Sequence, residues 1–154
     1  MSDDMIRLLG KNGGVIQISF GASFLDSVAR KNAKLVDSIQ AILVSKHLMS
    51  RDDAAKPVIE QFTKNPVELY SDVSRVADHI DHVISLVGID HVGFGSDFDG
   101  VEDSLPVGLK DVSAYPNLLA ELLRRGYSYQ DIEKICGGNL LRVWNKVIEQ
   151  SGRM

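Results

Sequence analysis

The stretch IDHVGFGSDFDG, from Ile89 to Gly100, is the part of the chain that is most informative about its fold. An apolar run that contains glycines predicts a short buried strand, and the run ends abruptly at two carboxylates. Asp99 stands directly before Gly100, which is the composition of a turn. Asp97 comes where the strand stops, so its position alone fits either a functional carboxylate or the cap of a turn.

A second strand is predicted at 15–20, where the run VIQISF is rich in β-branched residues and bounded by glycines. Helices are predicted in six places: before Asn12, in two pieces from Phe24 to about Leu48 with a break at 30–34, between Ser71 and Gly88, between Pro116 and Gly126, between Ser128 and Gly137, and from Asn139 onward. The two strands are separated by far more than a hairpin loop, so they are expected to be parallel. Because a parallel sheet needs more than two strands, the chain is expected to be part of a larger α/β fold.

Several local signals refine this outline. Ser71 and Asn139 are expected to cap the helices that follow them. Ser128 with Asp131 three residues later resembles a capping box. Cys136, the single cysteine, falls in an apolar helical pattern, which predicts a small buried side chain and excludes an internal disulfide.

The composition favours one soluble globular unit. The chain has 154 residues, of which 44% are hydrophobic and 25% charged, and its net charge is −4. Its basic residues are scattered singly, which argues against nucleic acid or an anionic membrane surface as a partner. The start of the chain lacks the pattern of a signal peptide, and no stretch approaches the roughly 18 apolar residues of a membrane span. The cytoplasm is therefore the expected location.

A calcium loop is one rival interpretation of the acidic stretch, because four carboxylates lie close together at Asp97, Asp99, Glu102 and Asp103. An EF-hand needs a glycine at its sixth position and a glutamate at its twelfth. Counted from Asp97, Gly100 is only the fourth residue; counted from Gly95, the twelfth position is Pro106. The spacing therefore argues against calcium.

A nucleotide-binding loop is a second rival, because Gly93 and Gly95 follow apolar residues. The third glycine of the dinucleotide fingerprint would fall at Phe98, and both glycines lie inside the strand rather than in the turn after it. They are expected instead to admit the close approach of another element or to leave room inside a small barrel.

A metal site is a third rival, built from residues that could bind a cation: Asp78, His79, Asp81, His82 and His91. His79 and His82 are three residues apart on a predicted helix, a spacing that can hold zinc. However, His82 adjoins the apolar stripe of that helix, and the other groups fit hydrogen bonds at the ends of helices and strands. Histidines with a structural role are the favoured interpretation.

Three segments closely resemble the signature of the renal or membrane dipeptidase family, zinc-dependent members of the amidohydrolase superfamily. They are ADHIDHVISLVGIDHVGFGSDFDG at 77–100, DSLPVGLKDVSAYPNLLAELLRRGYS at 103–128 and GGNLLRVW at 137–144. The resemblance extends over essentially the whole chain and is weakest at 26–69. It implies a (β/α)8 TIM-type barrel with two bridged zinc ions that hydrolyses dipeptides, many of them with a D-residue at the second position.

In terms of this resemblance, residues 1–154 are the carboxyl-terminal portion of a single barrel domain. Residues 15–20 resemble the seventh strand and 91–96 the eighth, with helices and a C-terminal helical segment around them. Asp97 falls on the aspartate that ends the eighth strand. The resemblance implies that Asp97 is the catalytic residue that handles the proton of the metal-bridging water and helps to position the amino end of the dipeptide substrate.

The departures from the family pattern are equally informative. The family's metal ligands lie upstream of the matching region, and His47, His79, His82 and His91 do not match their positions, so no metal ligand is assigned in this chain. Phe24 occupies a place where some relatives carry a tyrosine. The expectation is a truncated gene or a split protein completed by another chain.

Two functions from different classes remain. The first is the carboxyl-terminal portion of a zinc dipeptidase, inactive by itself because the Zn²⁺ ligands are elsewhere. The second is a non-catalytic remnant or interaction module, which associates through unpaired strand edges as a homodimer or with a complementing amino-terminal chain.

Overall fold

The computed structural model of the protein describes residues 1–47, 50–101 and 103–152. Nine helices are described within those ranges: α1 (Asp3–Lys11), α2 (Ala22–Leu25), α3 (Ser27–His47), α4 (Arg51–Ile59), α5 (Val67–Tyr70), α6 (Val73–Val87), α7 (Tyr115–Arg124), α8 (Tyr129–Glu133) and α9 (Asn139–Ser151). Short 3₁₀ helices lie at Glu60–Phe62, Ile89–His91 and Val112–Ala114, and a π-helical segment, Lys134–Gly138, joins α8 to α9. The strands are β1 (Ile16–Ser19) and β2 (Val92–Ser96).

The two strands form a small parallel sheet, as the sequence predicts. Ile16 pairs with Val92, and the register continues until Ile18 lies opposite Phe94. The next residue of β1, Ser19, lies opposite Ser96, so β2 contains one extra residue, a β-bulge. In the described part of the chain, each strand is paired along one edge only.

The main core lies between one face of this sheet and two long helices. Alternate residues of the strands, among them Ile18 and Val92, point toward α6 and α7. The buried apolar residues of α6 recur at helical spacing and confirm the predicted amphipathic helix. The largest side chains that are fully buried here are Phe20, Ile80, Leu109, Leu118, Leu122 and Ile135.

A second, smaller core holds α3, α4 and α5 together. Val36, Val58 and Leu69 are its buried members. The helix break predicted at 30–34 is wrong, because α3 runs continuously through that polar segment, and the predicted end at Leu48 lies outside the described residues. The break is at Asp26 instead, whose Oδ1 accepts a hydrogen bond from the Val28 backbone N–H at 2.6 Å. None of the described helices has the length and apolarity that a membrane span requires.

One predicted helix cap is confirmed and another is wrong. Ser128 and Asp131 form a complete capping box at the start of α8. At the start of α6 the cap is Asp72, not Ser71, because Asp72 Oδ1 accepts a hydrogen bond from the Arg75 N–H. Ser71 is fully buried in a left-handed conformation, with φ of 62°, so it cannot occupy the extended conformation of a cap.

The predictions for Asn139 and Cys136 are also wrong. The chain continues through Gly137 and Gly138 in the π-helical segment, so Asn139 is the first residue of α9 and not its cap. Its side chain is buried and donates two hydrogen bonds, to the carbonyl oxygens of Ile89 at 2.7 Å and Val92 at 2.8 Å. Cys136, in the π-helical segment, is exposed rather than buried, and partial desolvation raises the pKa of its thiol.

Candidate active site

The carboxyl ends of the two strands place three polar residues together. Ser19 ends β1, Ser96 ends β2, and Asp97 follows immediately. The Ser19 hydroxyl donates a hydrogen bond to Asp97 Oδ2 at 3.1 Å. The backbone N–H of Phe20 donates to the Ser96 carbonyl at 2.9 Å, which holds the chain ends in register beyond the sheet. Asp97 therefore lies at the strand end where functional loops of parallel α/β folds converge.

The backbone at this end of β2 is strained. Ser96 has φ of 53° and Asp97 has φ of 73°, so two consecutive residues with side chains occupy the left-handed region. This conformation costs each non-glycine residue roughly 1 to 2 kcal/mol. Strain of this kind persists only where the surrounding structure enforces it, and it is concentrated at functional sites.

The two glycines within β2, Gly93 and Gly95, allow it to lie very close to β1. A Cβ atom on Gly95 would lie 3.0 Å from the backbone carbon of Gln17, and one on Gly93 would lie 2.6 Å from the Gln17 side-chain oxygen. The expected close approach of another element is therefore confirmed. The pairing also shows that Gly95 is the extra residue of the bulge, since Ile18 pairs with Phe94 and Ser19 with Ser96.

Aromatic side chains anchor the turn that follows Asp97. Phe98 packs edge-on against Phe20, with ring centroids 5.7 Å apart, and against Tyr115 at 5.5 Å. Phe94 completes the group and stacks on Tyr115 at 5.6 Å. In the sequence, this anchor is indicated by Phe98 alone, an apolar residue between two aspartates, and that signal is too weak to predict its contacts.

Among the described residues, the carboxylates of the acidic stretch do not form a group that could hold a metal ion. Asp99 lies in the turn at 98–100, as predicted. Asp103 binds Lys110, whose Nζ lies 3.0 Å from Asp103 Oδ1. Glu102 lies outside the described residues. Asp97 is exposed, and its Oδ1 lies where a side chain at Gly100 would stand.

The three histidines of the metal hypothesis, His79, His82 and His91, have separate partners, as expected for histidines with a structural role. Each of three ring nitrogens contacts a different oxygen: His79 Nε2 contacts the Leu25 carbonyl at 2.9 Å, His82 Nε2 contacts Asp3 Oδ1 at 2.9 Å, and His91 Nδ1 contacts the Gly14 carbonyl at 2.8 Å. Over 1–47, 50–101 and 103–152, no three His, Cys, Asp or Glu side chains are grouped so that they could hold a metal ion. The residues described here therefore do not build a metal site by themselves.

Asp78 and Asp81, the acidic members of that metal hypothesis, bind a guanidinium instead. Arg125 Nη1 lies 2.9 Å from Asp78 and 2.5 Å from Asp81, and Arg125 Nε lies 2.7 Å from Glu121. Hydrogen bonds from Arg124 and Arg125 lower the pKa of Glu121 to about 2. Burial, together with the hydrogen bond that it donates to Asp81, raises the pKa of Tyr127. This network ties α6 to α7 and the residues after it.

The comparison with protein families identifies the chain. The family model of membrane dipeptidases, peptidase family M19, matches residues 1–154. The chain belongs to this family. Membership confirms the resemblance carried by the stretch around Asp97 and by the two segments after it.

Individual M19 relatives and a solved structure agree with this assignment. Dipeptidase 3 of Rattus norvegicus is 32% identical over 145 residues, which are 94% of this chain and 21% of that protein. Dipeptidase verJ of Clonostachys rogersoniana is 36% identical over 152 residues, 99% of this chain and 28% of that protein. The crystal structure of the probable dipeptidase PvdM from Pseudomonas aeruginosa matches 94% of this chain with a TM-score of 0.65 at 32% identity. The chain spans 40% of PvdM and about a quarter of these curated relatives.

Proposed function

We propose that the chain is the carboxyl-terminal portion of a zinc-dependent M19 dipeptidase and contributes Asp97 to its active site. The observation that carries the proposal is the position of Asp97, which is held by Ser19 at the carboxyl end of two adjacent parallel strands. Family membership supplies the reaction class, and the relatives named above are dipeptidases.

The proposed architecture is the last part of a (β/α)8 barrel, with β1 and β2 as its final two strands and residues 1–154 within one domain. The unpaired edges in the described part of the sheet support it, because barrel strands are paired on both sides. Gln17 supports it too: its Nε2 is buried without a hydrogen-bond partner among the described residues. The chain also spans 40% of PvdM, which fits a portion of such a barrel rather than a whole barrel.

Hydrolysis of a peptide bond requires a base that accepts a proton from water and an acid that returns one to the leaving amine. A carboxylate at a strand end can perform both roles. Asp97 Oδ2 accepts the Ser19 hydrogen bond, whereas Oδ1 has no hydrogen-bond partner among the described residues and is available to accept a proton. The negative charge of Asp97 also suits the ammonium group of a dipeptide. Zinc, held by residues from outside this chain, would supply the activation of water.

The experiment is an assay of dipeptide hydrolysis with zinc, first for the chain alone and then for the chain mixed with the amino-terminal portion of a full-length relative. We expect no activity alone and activity in the mixture. Asp97→Asn should lower kcat roughly 10²- to 10⁴-fold, the contribution typical of a general acid or base. Asp99→Asn, in the same turn, is the matched control and should leave activity unchanged. Activity of the chain alone, or a mixture that tolerates Asp97→Asn, would contradict the proposal.

A non-catalytic interaction module is the second candidate, and the exposed apolar face of α9 favours it. Leu141, Trp144 and Val147 are 60%, 61% and 61% exposed, which is unusual for large apolar side chains on one helix. Light scattering and calorimetry test this candidate. A monodisperse monomer that melts cooperatively would count against it.

The predicted cytoplasmic location requires a separate test by cell fractionation.

A further inference from the structure

Ser19 is the last residue of β1, after Ile16, Gln17 and Ile18, and nothing in this local pattern predicts a functional role for it. In the structure its side chain is half-buried, and its hydroxyl reaches across to Asp97, 78 residues further along the chain. The two side chains meet beyond the last paired residues of the sheet. Ser19 is therefore in direct contact with the proposed catalytic carboxylate.

The β-bulge creates this contact. In an unbroken register Ser19 would lie opposite Gly95, and Asp97 would be two residues beyond that pair. Because Gly95 is the extra residue, Ser19 lies opposite Ser96 and Asp97 is only one residue further along. The left-handed backbone of Ser96 and Asp97 then turns the carboxylate back toward Ser19. Bulges commonly redirect a side chain in this way next to active sites.

The two oxygens of the carboxylate have different surroundings. Oδ2 accepts the Ser19 hydrogen bond. Oδ1 lies over Gly100, so close that a Cβ atom at that position would collide with it. The Gly100 backbone N–H donates to the Asp97 carbonyl at 3.2 Å, which closes the turn beneath the carboxylate. Among the described residues, the carboxylate is thus held through Oδ2, while Oδ1 lies over Gly100 and accepts no hydrogen bond.

We propose that Ser19 is a positioning residue, which binds Asp97 Oδ2 and thereby directs Oδ1 toward the reacting atoms. This inference rests on the proposed dipeptidase function. A purely structural role is the alternative. An exposed hydrogen bond contributes little to the stability of a fold, so its loss should change the orientation of Asp97 rather than the stability of the chain.

The first test uses NMR spectroscopy of the chain alone and requires no activity. Ser19→Thr keeps the hydroxyl, whereas Ser19→Val has nearly the same shape without it. In Ser19→Val we expect the side-chain ¹³Cγ and backbone amide signals of Asp97 to shift, and in Ser19→Thr to remain close to wild type. The melting temperatures of these variants should match. Ser19→Ala is a second variant without the hydroxyl, for use if valine disturbs the packing. Unmoved Asp97 signals in Ser19→Val and Ser19→Ala would overturn the proposal.

The second test measures kinetics in the mixture with the amino-terminal portion of a relative. Ser19→Val should lower kcat roughly 10- to 100-fold, as expected for a misplaced catalytic group, with a larger effect on kcat than on KM. Ser19→Thr should restore kcat. Equal rates for Ser19→Val and Ser19→Thr in an active mixture would overturn the positioning role alone. A mixture that is inactive even with the wild-type chain would instead defeat the proposed function, and with it the catalytic role of Ser19, whatever the NMR signals show.

Discussion

The two ends of the β1–β2 sheet are built in opposite ways. At the amino end, Asn139 is 3% exposed and donates hydrogen bonds to the carbonyls of Ile89 and Val92. Arg142 adds hydrogen bonds to the carbonyls of Gly13 at 2.9 Å and Asp90 at 2.7 Å. The polar groups of this end are used internally: side-chain donors from α9 bind backbone carbonyls where the strands begin.

At the carboxyl end, the backbone is strained and the polar groups face outward. Ser96 and Asp97 are left-handed, and Asp97 is exposed and accepts a hydrogen bond from Ser19. The comparison shows where a ligand can bind. An end whose side-chain donors bind backbone carbonyls within the protein contributes stability, whereas an end that leaves a carboxylate exposed can contribute chemistry.

The largest expected effect on stability is at the amino end. Asn139→Ala removes both donors and leaves two carbonyls without their partner, so the free energy of unfolding should fall by about 2 to 4 kcal/mol. Urea denaturation of the chain measures this change. The matched control is Asn117→Ala, because Asn117 is exposed and donates one hydrogen bond, to Gly108. If Asn139→Ala and Asn117→Ala lower the free energy of unfolding equally, the buried amide of Asn139 contributes no more to stability than an exposed one, and the prediction is wrong.

The next effect concerns the bulge. Gly95→Ala introduces a Cβ atom 3.0 Å from the backbone of Gln17, so the strands must separate. Overpacking of this kind lowers the free energy of unfolding by about 1 to 3 kcal/mol. Gly137→Ala is the control, since a Cβ atom there meets nothing within 4 Å. If urea denaturation shows Gly95→Ala and Gly137→Ala to be equally stable, β2 does not lie as close to β1 as the structure indicates.

Backbone strain at the carboxyl end predicts a smaller change in the free energy of unfolding, and here the substitution should increase it. Ser96→Gly relieves a left-handed side-chain residue and should raise the free energy of unfolding by about 0.5 to 1 kcal/mol. Ser38→Gly, in the interior of α3, should lower it by a few tenths of a kcal/mol, since glycine is the poorer helix former. Thermal melts of both variants test the contrast, and a destabilised Ser96→Gly would show that this end carries no strain.

The smallest effect lies in the helix layer, away from both strand ends. Because the pKa of Glu121 is lowered from 4.5 to about 2, its ion pairs stabilise the fold fully above pH 4.5. That contribution is lost as the pH falls from 4.5 through about 2, and it amounts to at most about 1 kcal/mol. Glu121→Gln should remove this part of the pH dependence, whereas Glu133→Gln on α8 should retain it. Acid titrations monitored by circular dichroism distinguish them; identical curves for wild type and Glu121→Gln would contradict the prediction.

Local signals predicted a large part of the fold. The strands, the amphipathic α6 and the capping box of Ser128 and Asp131 each depend on residues within a few positions of one another. The wrong predictions concern the helix break at 30–34, the caps at Ser71 and Asn139, and the burial of Cys136. Asn139 has the composition of a cap, but two buried carbonyls outside α9 use its amide instead.

The sequence by itself determined the two parallel strands and the place of Asp97 at the end of a strand, because strand patterns and turn composition are local properties. It also indicated the family, through the resemblance of three long segments to a known signature. Only the tertiary structure decided that Gly95 is a bulge and that Ser19 binds Asp97. Both depend on the register between strands far apart in the chain, and register is set by packing against α6 and α7 rather than by either strand alone.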